Sequence, residues 1–189
     1  MSSGLKDDSL RTASLAGVGI ISLSRDPWNV LMWSHYADKH TGFMVEFEIK
    51  NEFTVAEDAT LDKWLVPFPV IYVQDRPQIS YWDETEDEEV DKIFTYKSSV
   101  WKYEEEERVI KYEGGAGAFP FVPDLLVSVI AGCNISDKNL KLLNKSVKKA
   151  NMVRAKKIVL FKAEIDAKEY KINIPGFRRP RLQKHEVEL

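Results

Sequence analysis

The chain is poor in cysteine, in histidine and in long apolar runs. Cys133 is the only cysteine among 189 residues, so no internal disulfide can form, which fits a reducing compartment. No stretch approaches the roughly 20 apolar residues needed to span a bilayer, so no membrane partner is expected. The opening MSSGLKDDSL has no basic flank leading into an apolar segment, so a cytoplasmic protein is expected. Internal repeats are missing, and so are the glycine-rich phosphate motifs. Gly114, Gly115 and Gly117 match neither the P-loop nor the dinucleotide pattern and read as a flexible turn.

What is present is uneven charge. The formal net charge of −3 conceals an almost wholly acidic run, Asp83 to Asp91, and a predominantly basic chain from Lys138 onward. The acidic run lacks the glycine-centred spacing of a calcium loop and reads as solvated. The basic segment (Lys148, Lys149, Arg154, Lys156, Lys157, then Arg178 to Lys184) could meet nucleic acid electrostatically, although aromatic residues are sparse there.

At this length one domain is the default. Residues 1–175 read as a single α+β domain, and 176–189 as a loose basic tail. Leu5 to Leu15 suggests a short helix and Val18 to Leu23 a strand. Asp26 with Pro27 is a helix-start signal, predicting a helix to about Lys39 with Trp28, Met32, His35 and Tyr36 on one face. Phe43 to Ile49 alternates as a half-buried strand does. Residues 51–65 read as irregular to helical and 74–83 as a loop. Val66 to Val73, carrying Pro67 and Pro69, belongs at a sheet edge because proline cannot donate to a ladder. Val90 to Trp101 has helical spacing, Arg108 to Tyr112 reads as a strand, and Leu125 to Ala131 as a buried strand. Ser136 can cap a helix over Leu140, Leu143 and Val147, and Ile158 to Ile165 is a last strand. The pattern predicts one mixed, mainly antiparallel sheet with packed helices.

Two groups could carry chemistry. The first runs from Trp33 to Phe43 and holds His35, Tyr36, Asp38 and His40, from a chain with only three histidines. Histidine can act as acid, base or ligand near neutral pH, and tyrosine offers a hydroxyl and a ring face. The plainer reading is a helix end with aromatic residues in the core and His40 capping carbonyls. His35 and His40 are five apart, a poor spacing for zinc, so no metal is expected. The second group is Lys97, Trp101, Glu104, Glu106 and Arg108. On an extended chain Glu104, Glu106 and Arg108 share a face. One of two close carboxylates could keep its proton and act as an acid, and Arg108 could clamp a phosphate. The plainer reading is an exposed, charged strand edge. Glu46, Glu48 and Lys50 form a nuclease-like triplet of a kind that arises often by chance.

The string Met32 to Asp38, with His40, Gly42, Phe43 and Phe47, resembles the signature of a bacterial domain-of-unknown-function family, DUF2971. Lys97, Trp101, Glu104, Glu106 and Arg108 resemble its second motif, and Ile130 to Cys133, with the helix and strand that follow, is similar to its C-terminal third. Members usually open with a tyrosine-containing strand and an Asn-Asp-Pro-Phe segment, and nothing like them precedes Val18. The resemblance thus implies a chain lacking the family's first part. The layout of short motifs with a late glutamate is also similar to that of ADP-ribosyltransferase-like toxins, an analogy of fold alone. It makes NAD a candidate cofactor and implies an enzyme of toxin or phage-defence type. His35, Tyr36, Glu104, Glu106 and Arg108 would be catalytic, and Trp33, His40, Lys97 and Trp101 would bind substrate. The alternative is a non-catalytic module that binds a protein or nucleic acid.

Overall fold

The structure is a computed structural model and describes residues 17–49, 65–78, 92–112 and 114–178. The expected first helix, the segment 51–64, the acidic run, Lys50 and the tail from residue 179 lie outside them. The fold is α+β. Among the described residues the strands form four small sheets instead of one. The chain divides into two compact units, 1–27 with 48–125, and 28–47 with 126–189.

In the first unit, β1 (Gly19–Ser24), β3 (Pro67–Pro69) and β6 (Glu106–Lys111) make an antiparallel sheet in the order β1-β6-β3. The proline-bearing β3 lies at an edge, as the missing donors require. The expected strand 66–73 is broken at the buried Val70, whose N–H reaches the Glu106 carbonyl at 3.0 Å. Beyond that point β4 (Ile71–Val73) leaves for a separate parallel pair with β5 (Tyr96–Ser98). This pairing overrides the helical spacing of Val90 to Trp101. Residues 92–95 are helical, but Tyr96–Ser98 is extended and Ser99–Glu104 is a 3₁₀ turn.

In the second unit, β2 (Phe43–Phe47), β7 (Leu126–Ala131) and β8 (Val159–Lys162) form a sheet in which β2 is antiparallel and β8 parallel to the central β7. The short helix α1 (Val30–Tyr36) begins at Asn29 and not at Asp26. The Asn29 side-chain oxygen accepts the Leu31 N–H at 2.9 Å and the Met32 N–H at 3.4 Å, so it takes the capping role. The long helix α2 (Asp137–Met152) is capped by Ser136, as expected, through the Asn139 N–H at 3.3 Å. Its apolar side, Leu143, Val147 and Ala150, packs with Val129 and Ile158. The expected strand 158–165 ends as β8 at Lys162. After Ala163, β9 (Glu164–Ile165) turns to pair with β10 (Ile172–Asn173), which the sequence does not announce.

A second apolar cluster gathers Trp33, Ile130, Ala163, Ile172 and Ile174. Phe177, assigned by sequence to the tail, joins it and packs edge-on to Trp28 at 5.6 Å and Phe161 at 5.3 Å.

Candidate functional site

The first motif builds a left-handed loop. After α1, Asp38, Lys39 and His40 have φ of 45°, 53° and 68°, a region that disfavours ordinary side chains. The Trp33 carbonyl accepts both the Ala37 N–H at 3.3 Å and the His40 N–H at 3.2 Å. Thr41 holds Asp38 by its hydroxyl, at 2.8 Å to the carbonyl and 3.0 Å to the carboxylate. The loop's outward carbonyls meet the turn after β7. The Asn134 N–H bonds the His40 carbonyl at 3.0 Å, and the Gly132 N–H bonds the Gly42 carbonyl at 2.9 Å.

His40 thus caps the helix, as the plainer reading expects, but through its backbone. Its ring Nε2 lies 2.9 Å from Ser34 Oγ. The Ser34 hydroxyl donates to the Val30 carbonyl at 2.8 Å, so this network has Nε2 as the donor to Ser34 Oγ. Nδ1 is buried and has no partner among the described residues. Trp33, read as a substrate contact, is 0% exposed, and its indole fills the core. His35 and Tyr36 do face solvent, with ring centroids 6.3 Å apart.

The second motif builds a charge cluster in the first unit. Glu104 does not share an extended face with Glu106 and Arg108. It closes the 3₁₀ turn, Glu105 follows with φ 42°, and β6 starts at Glu106. The two carboxylates nonetheless converge on one ammonium group. Lys97 Nζ bonds Glu104 and also reaches Glu106 Oε2 at 2.8 Å. Arg108 holds Glu106 from its other side, Nε to Oε1 at 2.9 Å and Nη2 to Oε2 at 3.3 Å, and its Nη1 donates to the Phe94 carbonyl at 2.5 Å. The Tyr72 hydroxyl accepts the Glu106 N–H at 2.8 Å, and the Ser24 hydroxyl donates to the Glu104 carbonyl at 2.7 Å.

This is no exposed edge. β6 is the central strand, and Glu104 and Glu106 are 3% and 5% exposed. Burial alone would favour a protonated Glu106, but hydrogen bonds from Arg108, Lys97 and Ser22 outweigh it and bring its pKa down to about 2. Glu106 is therefore an ionised carboxylate, and the expectation of a proton-holding acid does not fall on it. Burial likewise works against the Lys97 charge, yet its bonds to Glu104 and Glu106 raise its pKa. Two acids and two bases balance, the form in which buried charge is tolerated. Beside them Trp101 is 41% exposed, with Lys97 Nζ 5.5 Å from its ring centre and Tyr103 at 6.0 Å.

Of the triplet Glu46, Glu48 and Lys50, the Glu46 carboxylate accepts the Ser128 hydroxyl at 2.5 Å, and Lys50 lies outside the described residues. No group of three or more metal-ligating acid, histidine or cysteine side chains occurs among the described residues.

Residues 32–109, which contain both motifs, match a family model described as a protein of unknown function (DUF2971). The family resemblance holds over those residues. The matched segment stops short of the Ile130 to Cys133 turn and of everything after it. No curated protein and no solved structure matches the chain.

A third arrangement lies on the solvent side of α2. Lys141, Lys145, Lys148 and Lys149 recur there at helical spacing and line a shallow groove with Asn144 and Met152. All four lysines are exposed, and none makes an ion pair among the described residues. Arg154 and Lys157, by contrast, are used structurally. Arg154 Nη2 bonds the Leu126 carbonyl at 2.8 Å, and Lys157 Nζ bonds the Asn151 and Arg154 carbonyls at 2.7 and 2.6 Å. The signal for this face was already in the sequence, as lysines three and four residues apart opposite the apolar stripe.

Proposed function

We propose that the chain is a bacterial, cytoplasmic module that binds nucleic acid by its phosphate backbone, with α2 as the contact. One observation carries the reading. Between Lys138 and Lys162 there are nine lysines and arginines and no acid, in a chain of net charge −3, and the lysines of α2 form one exposed stripe. Lys141 to Lys149 spans about 12 Å of helix, a length over which a duplex presents several phosphates. The chemistry is counterion release, which needs cations that are not already neutralised.

The test is binding of a labelled oligonucleotide across salt concentrations. The wild type should lose affinity steeply with salt, and Lys145→Gln with Lys149→Gln should flatten the slope by about 1.5. A weak, salt-insensitive interaction would sink the reading.

A second reading is favoured by the ionised Glu106 beside a half-exposed Trp101. It is an NAD-using, ADP-ribosyltransferase-like enzyme of toxin or phage-defence type. An oxocarbenium-like transition state is stabilised by an ionised carboxylate, and an indole face can stack on a flat ring. Against it, Lys97 and Arg108 already match the Glu106 charge.

A further inference from the structure

The lysine stripe ends in something that phosphate binding does not require. Met152, the last residue of α2, is 82% exposed, and Val153, its C-cap, is 90% exposed. Met152 lines the same groove as Lys141, Lys145, Lys148 and Lys149.

This apolar pair stands on a firmly tied corner. The Asn151 side chain bonds the Ile158 backbone in both directions, Nδ2 to the carbonyl at 2.9 Å and Oδ1 from the N–H at 2.8 Å. Lys157 covers the Asn151 and Arg154 carbonyls, and Arg154 Nε bonds the Lys156 carbonyl at 3.1 Å. Three polar side chains thus fix the backbone on both sides of Met152 and Val153, while those two side chains are left to water. Two adjacent apolar side chains on a fixed corner, at the end of a row of exposed ammonium groups with no ion pair among the described residues, suit a ligand with both anionic and flat apolar parts. A single-stranded nucleic acid is such a ligand, because its base faces are open, whereas a duplex shows its bases only by their edges.

Resting on the nucleic-acid reading above, we propose that Met152 and Val153 form the base-contacting end of the α2 surface and give it a preference for single strands. The lysines would hold phosphates, and the methionine and valine would lie against exposed base faces. The two contributions differ in their response to salt, since apolar contact releases no counterions.

The experiment compares the full chain with Met152→Ser/Val153→Ser on a labelled 20-nucleotide strand and on the same strand annealed to its complement, across salt concentrations. The wild type should favour the single strand. The serine variant should bind that strand about ten-fold more weakly, keep its affinity for the duplex, and keep the salt slope. Unchanged affinity for the single strand, or equal losses on both forms, overturns the proposal while leaving the lysine reading intact. A wild type that binds neither form overturns the lysine reading, and this proposal with it. Vesicles of phosphatidylcholine with phosphatidylserine form a third arm. If they bind the wild type, displace the oligonucleotide and lose that binding in the serine variant, the apolar pair faces a lipid surface and the base-contact proposal is wrong.

Discussion

A β-carbon on Gly132 would stand 2.1 Å from the carbonyl oxygen of His40 and 2.9 Å from that of Gly42. Both obstacles are backbone, so neither can swing away as a side chain would. The left-handed turn at residues 38–40 and the turn after β7 are pressed together with no room for a methyl group, and two backbone hydrogen bonds join them.

Gly132→Ala should therefore cost about 3 kcal/mol, toward the upper end for overpacking. In a chain of this length that lowers the melting temperature by roughly 6–12 °C. Thermal unfolding followed by circular dichroism measures it. A loss below about 1 kcal/mol would mean that the loop shifts easily and that the close approach is not structural.

Lys97 is the hinge of the charge cluster, because one ammonium group serves two buried carboxylates. Lys97→Met removes the partner and keeps both charges, a change that costs about 3–5 kcal/mol for a buried pair. Adding Glu104→Gln should recover part of that loss. Denaturant titration of the single and double variants gives the coupling, and strict additivity would mean that the Lys97–Glu104 contact does not persist in solution.

The acid side of the stability profile should carry the mark of Glu106. Its pKa falls from about 4.5 to about 2 on folding. A depressed carboxylate pKa contributes stability that is complete above the unfolded value and is lost as pH falls toward the folded one. The protein should thus lose about 3 kcal/mol from this group between pH 4.5 and 2. Glu106→Gln should be less stable at pH 7 and should flatten that part of the curve. A variant profile parallel to the wild type would contradict the assignment.

The enzymatic reading predicts a ligand effect. NAD at about a hundred times its dissociation constant adds roughly 2.7 kcal/mol, a rise of about 5–10 °C in melting temperature here. Trp101→Ala should abolish the rise, since that ring is the exposed face beside the carboxylates. Absence of any rise in the wild type removes this reading.

Much of the fold follows from local pattern. The Ser136 cap and the lysine and leucine stripes of α2 depend on neighbours within a turn, and each forms where the pattern lies. The proline-bearing edge does so too, because a missing N–H is a property of the residue itself. The alternation of Phe43 to Ile49 does give a strand, Phe43–Phe47, but Phe43 and Val45 are 54% and 39% exposed and Met44 of the other face packs on the Trp33 cluster. The local signal misled at Asp26, where Asn29 captures the cap, and at Tyr96–Ser98, where pairing with Ile71–Val73 outweighs helical spacing.

The candidate sites divide in the same way. Sequence selected both motifs, and the matched family segment contains both. It could not tell that Trp33 is core, that His40 works through its backbone, or that Glu104 and Glu106 are buried on a central strand and not displayed on an edge. Those facts depend on partners far along the chain, such as Tyr72 for the Glu106 N–H, Ser24 for the Glu104 carbonyl and Gly132 for the loop at His40. The sequence by itself determined the Ser136-capped helix α2, the proline-bearing edge, the charge asymmetry and the motifs. Tertiary structure alone decided which charges are buried and paired, and which lysines of α2 are exposed with no ion pair among the described residues, because burial and long-range pairing belong to the folded chain and not to any segment of it.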